Sequence, residues 1–338
     1  MMKNIVLADD LHQSDLKPAE LLKEYISLTQ GDLKSFFVDA GGLKDVSCPG
    51  CGSHERKVSF ERSGLKYQEC VVCSTLYVSP RPSDEAVVRF YREAPSRRFW
   101  SSKLCGATDR KRSEKIIKPR MEWVMDSFAE YAPRASRWID LHTNQFRYVE
   151  AMAAEKGMAQ KVIVTPYLDT DPARFPSGIA LDPSSWWGAS QAPADVLTVF
   201  ELLDQTSDVP GLMSKVSALL NRGGLGFMTA ILGSGFDVRE LGAHADNIFP
   251  PDRMNLFSVR GLTALLERHG FELIEFSTPG VLDVDIVEKA LRATPGIPVS
   301  PFIRDLVLSA NEEVKAAFQA FLQANLLSSY GRVLFRKK

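Results

Sequence analysis

Long apolar runs are missing from this sequence. A membrane-spanning helix needs about 20 consecutive apolar residues, and nothing approaches that, so no membrane span is expected. Charge of one sign is missing too: 41 Lys and Arg stand against 42 Asp and Glu, for a formal net charge of −1. That balance gives no global pull toward nucleic acid or an anionic membrane. The opening "MMKNIVLADDLHQSD" meets paired aspartates after a short apolar span. It reads as neither signal peptide nor anchor, and the expected compartment is cytoplasmic. Glycine is missing where it would say most. "RWIDLHTNQFRYVEAM", from Arg137 to Met152, reads as a buried strand ending in Asp140 that turns straight into a helix. Such turns usually carry glycines, which let backbone N–H groups approach a cofactor. Here the turn carries His142, Asn144 and Phe146.

What is present has a globular composition, 45% hydrophobic and 25% charged. A chain of 338 residues can hold two modest domains, or one large domain with attachments. Residues 1–46 read as a helical extension, with Leu21, Leu22, Tyr25 and Ile26 on one face behind Pro18. Residues 47–80 are short, turn-rich and cysteine-bearing, and 81–135 form a helical connector in which Ser83 opens "SDEAVVRFYREA". From 136 to 338 strands and helices alternate, which predicts an α/β domain whose parallel sheet is covered on both faces. The expected strands are "SRWIDL", "KVIVT", "GIALD", "ADVLTVFEL", "LGFMTA", "FELIEFS" and "GRVLFRK". The expected helices are "FRYVEAMAAEKG" closed by Gly157, "SDVPGLMSKVSALLNRGG" closed by Gly223, "SVRGLTALLERHG", and a helical insertion at about 286–328.

Four of the five cysteines form two C-x2-C pairs, Cys48 with Cys51 and Cys70 with Cys73, at the spacing of a zinc site. Two such knuckles can complete a tetrahedron of thiolates. The alternatives are two disulfides or four unrelated buried thiols, and a cytosolic chain argues against disulfides. Four thiolates leave no open position for water, so the expected zinc is structural. Cys105 stands alone without an obvious base and reads as a packed thiol.

"CPGCGS", followed by "YQECVVCSTLYVSPRPSDEAVVRFY", resembles the N-terminal zinc ribbon of a family of class I S-adenosylmethionine-dependent methyltransferases. That family includes sugar C-methyltransferases and glycan-modifying proteins. "PADVLTVFELLDQTSDVPGLMSKVSALLNRGGLGFMTAI", "IFPPDRMNLFSVRGLTALLERHGFELIEFSTPGVLDVDIV" and the closing "YGRVLFRKK" fit the same family, so the resemblance covers about residues 47–338. It implies a Rossmann-like doubly wound sheet of the class I methyltransferase type, with an N-terminal zinc ribbon and helical additions. It further implies S-adenosylmethionine as cofactor and a sugar, nucleotide-sugar or surface glycan as substrate.

Set against that family, the cofactor positions are substituted. His142, Asn144 and Phe146 align with the glycines of the family's G-x-G-x-G loop, after Asp140 at the end of the first sheet strand. Side chains there fill ligand space, and a β-carbon restricts the φ values that glycine permits. Thr165 ends the second strand, where the family has an acid for the ribose hydroxyls. Asp204 and Gln205 replace a Glu-His pair, and Arg253 stands where a histidine is common. Gln205 is no general base at neutral pH, and Arg253 stays charged. Asp182 and Glu201 remain near strand ends where the family lines its pocket, unless they are solvated loop acids. The candidates are therefore Glu201, Gln205 and Arg253 for catalysis, and Asp140, His142, Asn144, Thr165 and Asp182 for the cofactor.

Residues 97–120 hold a local excess of Lys and Arg, read either as a phosphate-binding patch or as a solvated helix face. Specific nucleic-acid binding is not expected, because neither ribbon nor chain is basic. Trp186 and Trp187 either wall a pocket or split into one buried and one partly exposed ring. Asp283 and Asp285 would share a face in a strand, whereas a helix start would use one of them as a cap. Three functions remain open. The chain is a methyltransferase with a remodelled loop, a pseudo-methyltransferase serving a protein partner as scaffold or regulatory subunit, or a nucleotide-sugar enzyme that does not use S-adenosylmethionine.

Overall fold

The computed structural model describes every residue except 1, 3, 4, 8–10, 40, 142–144, 169–174 and 247. Near the N-terminus a short helix α1 (Gln13–Leu16) leads into α2 (Ala19–Leu33), with Pro18 at the N-cap. A missing N–H is harmless there, because the first helical turn has no acceptor for it. Leu22 and Tyr25 bury their side chains against Leu104 and Phe249, and Leu21 and Ile26 pack beside them. The next unit is an antiparallel meander of β1 (Arg56–Arg62), β2 (Leu65–Cys70) and β3 (Leu76–Val78). Four helices follow: α3 (Asp84–Glu93), α4 (Pro95–Phe99), α5 (Cys105–Arg112) and α6 (Lys118–Tyr131). Ser83 caps α3 by accepting from Ala86 N at 3.3 Å.

The α/β part runs β4 (Arg137–Leu141), α7 (Phe146–Ala154), β5 (Gln160–Val164), β6 (Ala180–Asp182), β7 (Ala194–Phe200), α8 (Leu202–Gln205) and α9 (Val209–Leu219). It continues through β8 (Leu220–Ile231), α10 (Phe236–Leu241), β9 (Asn255–Leu256), α11 (Val259–Arg268) and β10 (Phe271–Ser277). Three helices, α12 (Asp283–Ala293), α13 (Pro301–Leu308) and α14 (Glu312–Ala324), precede β11 (Tyr330–Lys337). The main sheet has the order β10-β11-β8-β7-β4-β5-β6, in which β11 runs antiparallel to both its neighbours. Alternation along β4 explains the two layers. Ile139 and Leu141 face the core under α9 and α11, while Trp138 faces the one under α6 and α7. The fold is thus the Rossmann-like doubly wound sheet expected, with additions.

Several boundaries differ from expectation. Helix α9 ends at Leu219 rather than near Gly223, because Leu220 already pairs with Ala194 in the sheet. A register shift before Val196 accommodates the extra residues, and Gly223 takes φ +77° there. Asp283 and Asp285 open a helix, so the shared strand face does not form. Asp283 accepts from Ser328 Oγ and Ser329 N at 2.6 Å and from Gln319 Nε2 at 2.8 Å. Asp285 instead meets Lys289 Nζ and Gln13 N, each at 2.8 Å. These two carboxylates hold different segments together.

Candidate functional site

Cys48, Cys51, Cys70 and Cys73 converge, with all four sulfurs within 4.8 Å of one another. The Cys48–Cys73 and Cys51–Cys70 sulfurs are 3.5 Å apart, too long for a disulfide and close to the edge of a thiolate tetrahedron around zinc. Four thiol donors at this spacing fit zinc and leave no coordination site open. Helix α11 backs the cluster. Ser258 Oγ donates to Cys73 O and accepts from Gly261 N at 2.9 Å, while Arg268 Nη1 donates to Gly50 O at 2.9 Å. The contact tolerates no side chain at Gly261, where a Cβ would lie 2.0 Å from Thr75 Oγ1 and 3.2 Å from Cys73 Sγ. Strand β9 also pairs with β3, so the ribbon sheet is completed by residues just beyond Arg253.

The second site lies where β4's neighbours, β5 and β7, lead away on opposite sides. Their C-terminal ends open the crevice in which doubly wound folds bind ligands. Glu201 follows β7 with φ 63°, a left-handed conformation uncommon for any residue but glycine. Its Oε1 lies 3.2 Å from Arg120 Nη2, and that guanidinium packs 4.8 Å from the Phe200 ring centre. Burial alone would raise the Glu201 carboxyl, but Arg120, Arg253 and Arg112 hold it down to about 2. Asp204 in α8 shows the opposite balance. Burial pushes its carboxyl up to about 7 although Arg253 Nη1 is 3.3 Å away. Asp204 Oδ1 and Gln205 Oε1 are buried and have no hydrogen-bond partner among the described residues.

The N-terminal segment reaches these groups. Arg112 Nη2 donates to Leu16 O at 2.6 Å, next to Lys17. Burial, then Arg253 and Arg112, lower the Lys17 ammonium to about 8, while Asp252 and Glu201 oppose the shift. Partly buried Arg97 donates to Tyr25 Oη at 2.8 Å and lies 3.4 Å from Asp252 Oδ1, to which Tyr91 Oη also donates.

Glu201 and Arg253 therefore come together, and Gln205 ends the short helix α8 that follows Glu201. Asp140, Thr165 and Asp182 lie at the ends of three other strands, with their polar atoms engaged locally. Asp140 Oδ2 accepts from Thr198 Oγ1 at 2.5 Å, and Thr165 Oγ1 accepts from Tyr167 N at 3.3 Å. Asp182 accepts from Ser184 N at 3.0 Å and Gln191 Nε2 at 2.8 Å. His142 and Asn144 lie outside the described residues. Phe146 opens α7 and meets Phe175 edge-on at 5.7 Å. Trp186 is buried, Trp187 is partly buried against the same core, and their rings are perpendicular. Burial pushes the Cys105 thiol up, which suits a packed rather than a nucleophilic group.

Within residues 97–120, Arg98, Lys103, Arg110, Lys111 and Lys118 are exposed, whereas Arg120 is buried. A signal for this was present. Arg120, Trp123, Val124 and Ser127 recur at helical spacing and are all buried. Lys17 carried no such signal.

Residues 110–275 match a family model described as a methyltransferase domain. This part of the chain belongs to the class I methyltransferase family. Two solved structures are among those similar to it. An S-adenosylmethionine-dependent methyltransferase from Mesorhizobium loti is 15% identical, with 65% of this chain and all of that one covered at a TM-score of 0.43. The N-methyltransferase NodS from Bradyrhizobium japonicum is 11% identical, with 65% and 95% covered at a TM-score of 0.37. No curated protein matches the sequence. Among the described residues no helix is long and apolar enough to cross a membrane.

A methyltransferase domain implies a fold for S-adenosylmethionine. In the crevice, Lys17, Arg112, Arg120 and Arg253 all surround Glu201 or Asp204. Thr165 follows the last residue of β5.

Proposed function

We propose that this protein is a methyltransferase-family member connected with modification of sugars or surface glycans, in which the donor crevice has been given over to structure. It then acts as a scaffold or regulatory subunit for a partner enzyme. The observation that carries this reading is the Arg120–Glu201 pair, flanked by Arg253 and capped by Lys17. A cationic surround repels a sulfonium, and an ion pair already satisfied within the chain would have to open to admit a donor. The sugar connection rests on the resemblance of residues 47–338 alone.

A second reading, a working enzyme with a remodelled loop, draws on Asp204. A carboxyl near 7 in a crevice can accept a proton at neutral pH, and the left-handed backbone at Glu201 is the kind of strain found at active sites. Calorimetric titration of the zinc-loaded protein with S-adenosylmethionine and S-adenosylhomocysteine separates the two. The scaffold reading expects no heat at millimolar ligand and a second protein co-purifying from native extract. Micromolar binding would sink that reading and favour the enzyme.

A further inference from the structure

A separate concavity lies between α3 and α4 on one side and residues 166–168, just beyond β5, on the other. It encloses about 360 Å³, and Tyr91, Arg92, Arg97, Arg98, Ser101 and Tyr167 line it. No acidic side chain is among the described residues of its wall. The three arginines differ in a useful way. Arg97 is fixed, with its guanidinium 4.4 Å over the Tyr91 ring and held by Tyr25 and Asp252. Arg92 and Arg98 are exposed and make no ion pair among the described residues. A solvated helix face would spread such charges along one helix. Here they come from two helices and meet around one hollow.

Guanidinium groups match phosphate oxygens in geometry as well as charge, and two exposed cations facing one hollow suit a dianion. The Tyr91 and Tyr167 rings, 5.4 Å apart and inclined at 53°, add an aromatic surface beside the cations. We infer that this cavity binds a phosphate dianion or diphosphate, gripped by Arg92 and Arg98 against the fixed Arg97, with the tyrosines facing whatever group the phosphate carries. This site requires no methyl donor and stands whether or not the crevice binds one.

The experiment is calorimetric titration at low salt with orthophosphate, pyrophosphate and uridine diphosphate. It uses wild-type protein, the Arg92→Ala/Arg98→Ala double variant, Tyr167→Ala, and Lys103→Ala as a control exposed on the segment after α4. Pyrophosphate is expected to bind the wild type and the control alike. The double variant should bind at least about tenfold more weakly, the loss of charge-assisted hydrogen bonds, with an unchanged melting temperature. Tighter binding of uridine diphosphate than of pyrophosphate, lost in Tyr167→Ala, would identify an esterified phosphate. Equal binding of orthophosphate would identify the free ion. No binding of any of the three at millimolar concentration, or equal binding by wild type and double variant, overturns the proposal. Titration of the same variants with S-adenosylhomocysteine keeps this result distinct from the fate of the crevice.

Discussion

Asp204 Oδ2 lies 3.3 Å from Arg253 Nη1, yet burial keeps the acid's carboxyl near 7 rather than letting the arginine pull it down. The pair sits between two structural units. Asn255, two residues beyond Arg253, donates to Leu203 O at 2.9 Å and Thr206 O at 2.8 Å, and its strand completes the ribbon sheet.

This balance sets a pH dependence. The Asp204 carboxyl is raised from 3.8 to about 7 on folding, so the folded state binds the extra proton between those values. Its contribution to stability is therefore full below about 4 and is lost as pH climbs through 7. Urea unfolding from pH 5 to 8 should show wild type losing stability relative to Asp204→Asn, by roughly 2–4 kcal/mol at most. Parallel curves for the two proteins would refute the assignment.

Arg120 is buried, whereas the Glu201 side chain is 36% exposed, so the pair is only partly screened. Arg120→Met is expected to cost roughly 2–4 kcal/mol, because Glu201 would lose its nearest partner and Arg120's packing on Phe200 would go with it. Glu201→Gln should cost less. A double-mutant cycle by urea denaturation should give a coupling of at least about 1 kcal/mol; strict additivity would mean that the two groups do not interact.

At the ribbon, Gly261→Ala forces a Cβ against Thr75 Oγ1 at 2.0 Å. Overpacking of this kind costs roughly 1–3 kcal/mol. The variant should release zinc to a chelator faster than wild type, and Thr75→Ala in the same chain should recover part of the loss. Metal analysis after gel filtration comes first: freshly purified wild type with well under one zinc per chain would end the zinc assignment.

Lys17 is lowered to about 8 chiefly by burial, so the folded protein resists its protonation. That cost is present below pH 8 and disappears as pH rises toward the ordinary lysine range. Lys17→Met should accordingly be the more stable protein at pH 7, by roughly 1–3 kcal/mol, with the gap closing near pH 10. Melting temperatures across that range decide it. A destabilised Lys17→Met at neutral pH would show that the ammonium is held by its acids rather than merely tolerated.

Much of the architecture was legible because it is written in short-range patterns. Ser83, Asp208 and Ser258 sit before helical periodicity, and each accepts a backbone N–H in the first turn. Apolar runs such as "ADVLTVF" became central strands. What failed did so where pairing partners lie far away in sequence. Leu220 reads as the tail of a helix until Ala194 claims it for the sheet. Asp283 reads either as half of a carboxylate pair or as a helix cap until Ser328 and Gln319 enclose it at the start of α12.

The sequence by itself determined the four-cysteine cluster and the alternation of strands and helices. Both depend on spacings of a few residues or on periods of two and 3.6. Only the tertiary structure decided the character of the crevice. Lys17, Arg120, Glu201 and Arg253 come from four separate segments, and no local pattern says that they meet. Whether an acid among them is held near 2 or raised to about 7 is a contest between burial and charge. That contest is settled by which groups surround each carboxylate in the folded chain.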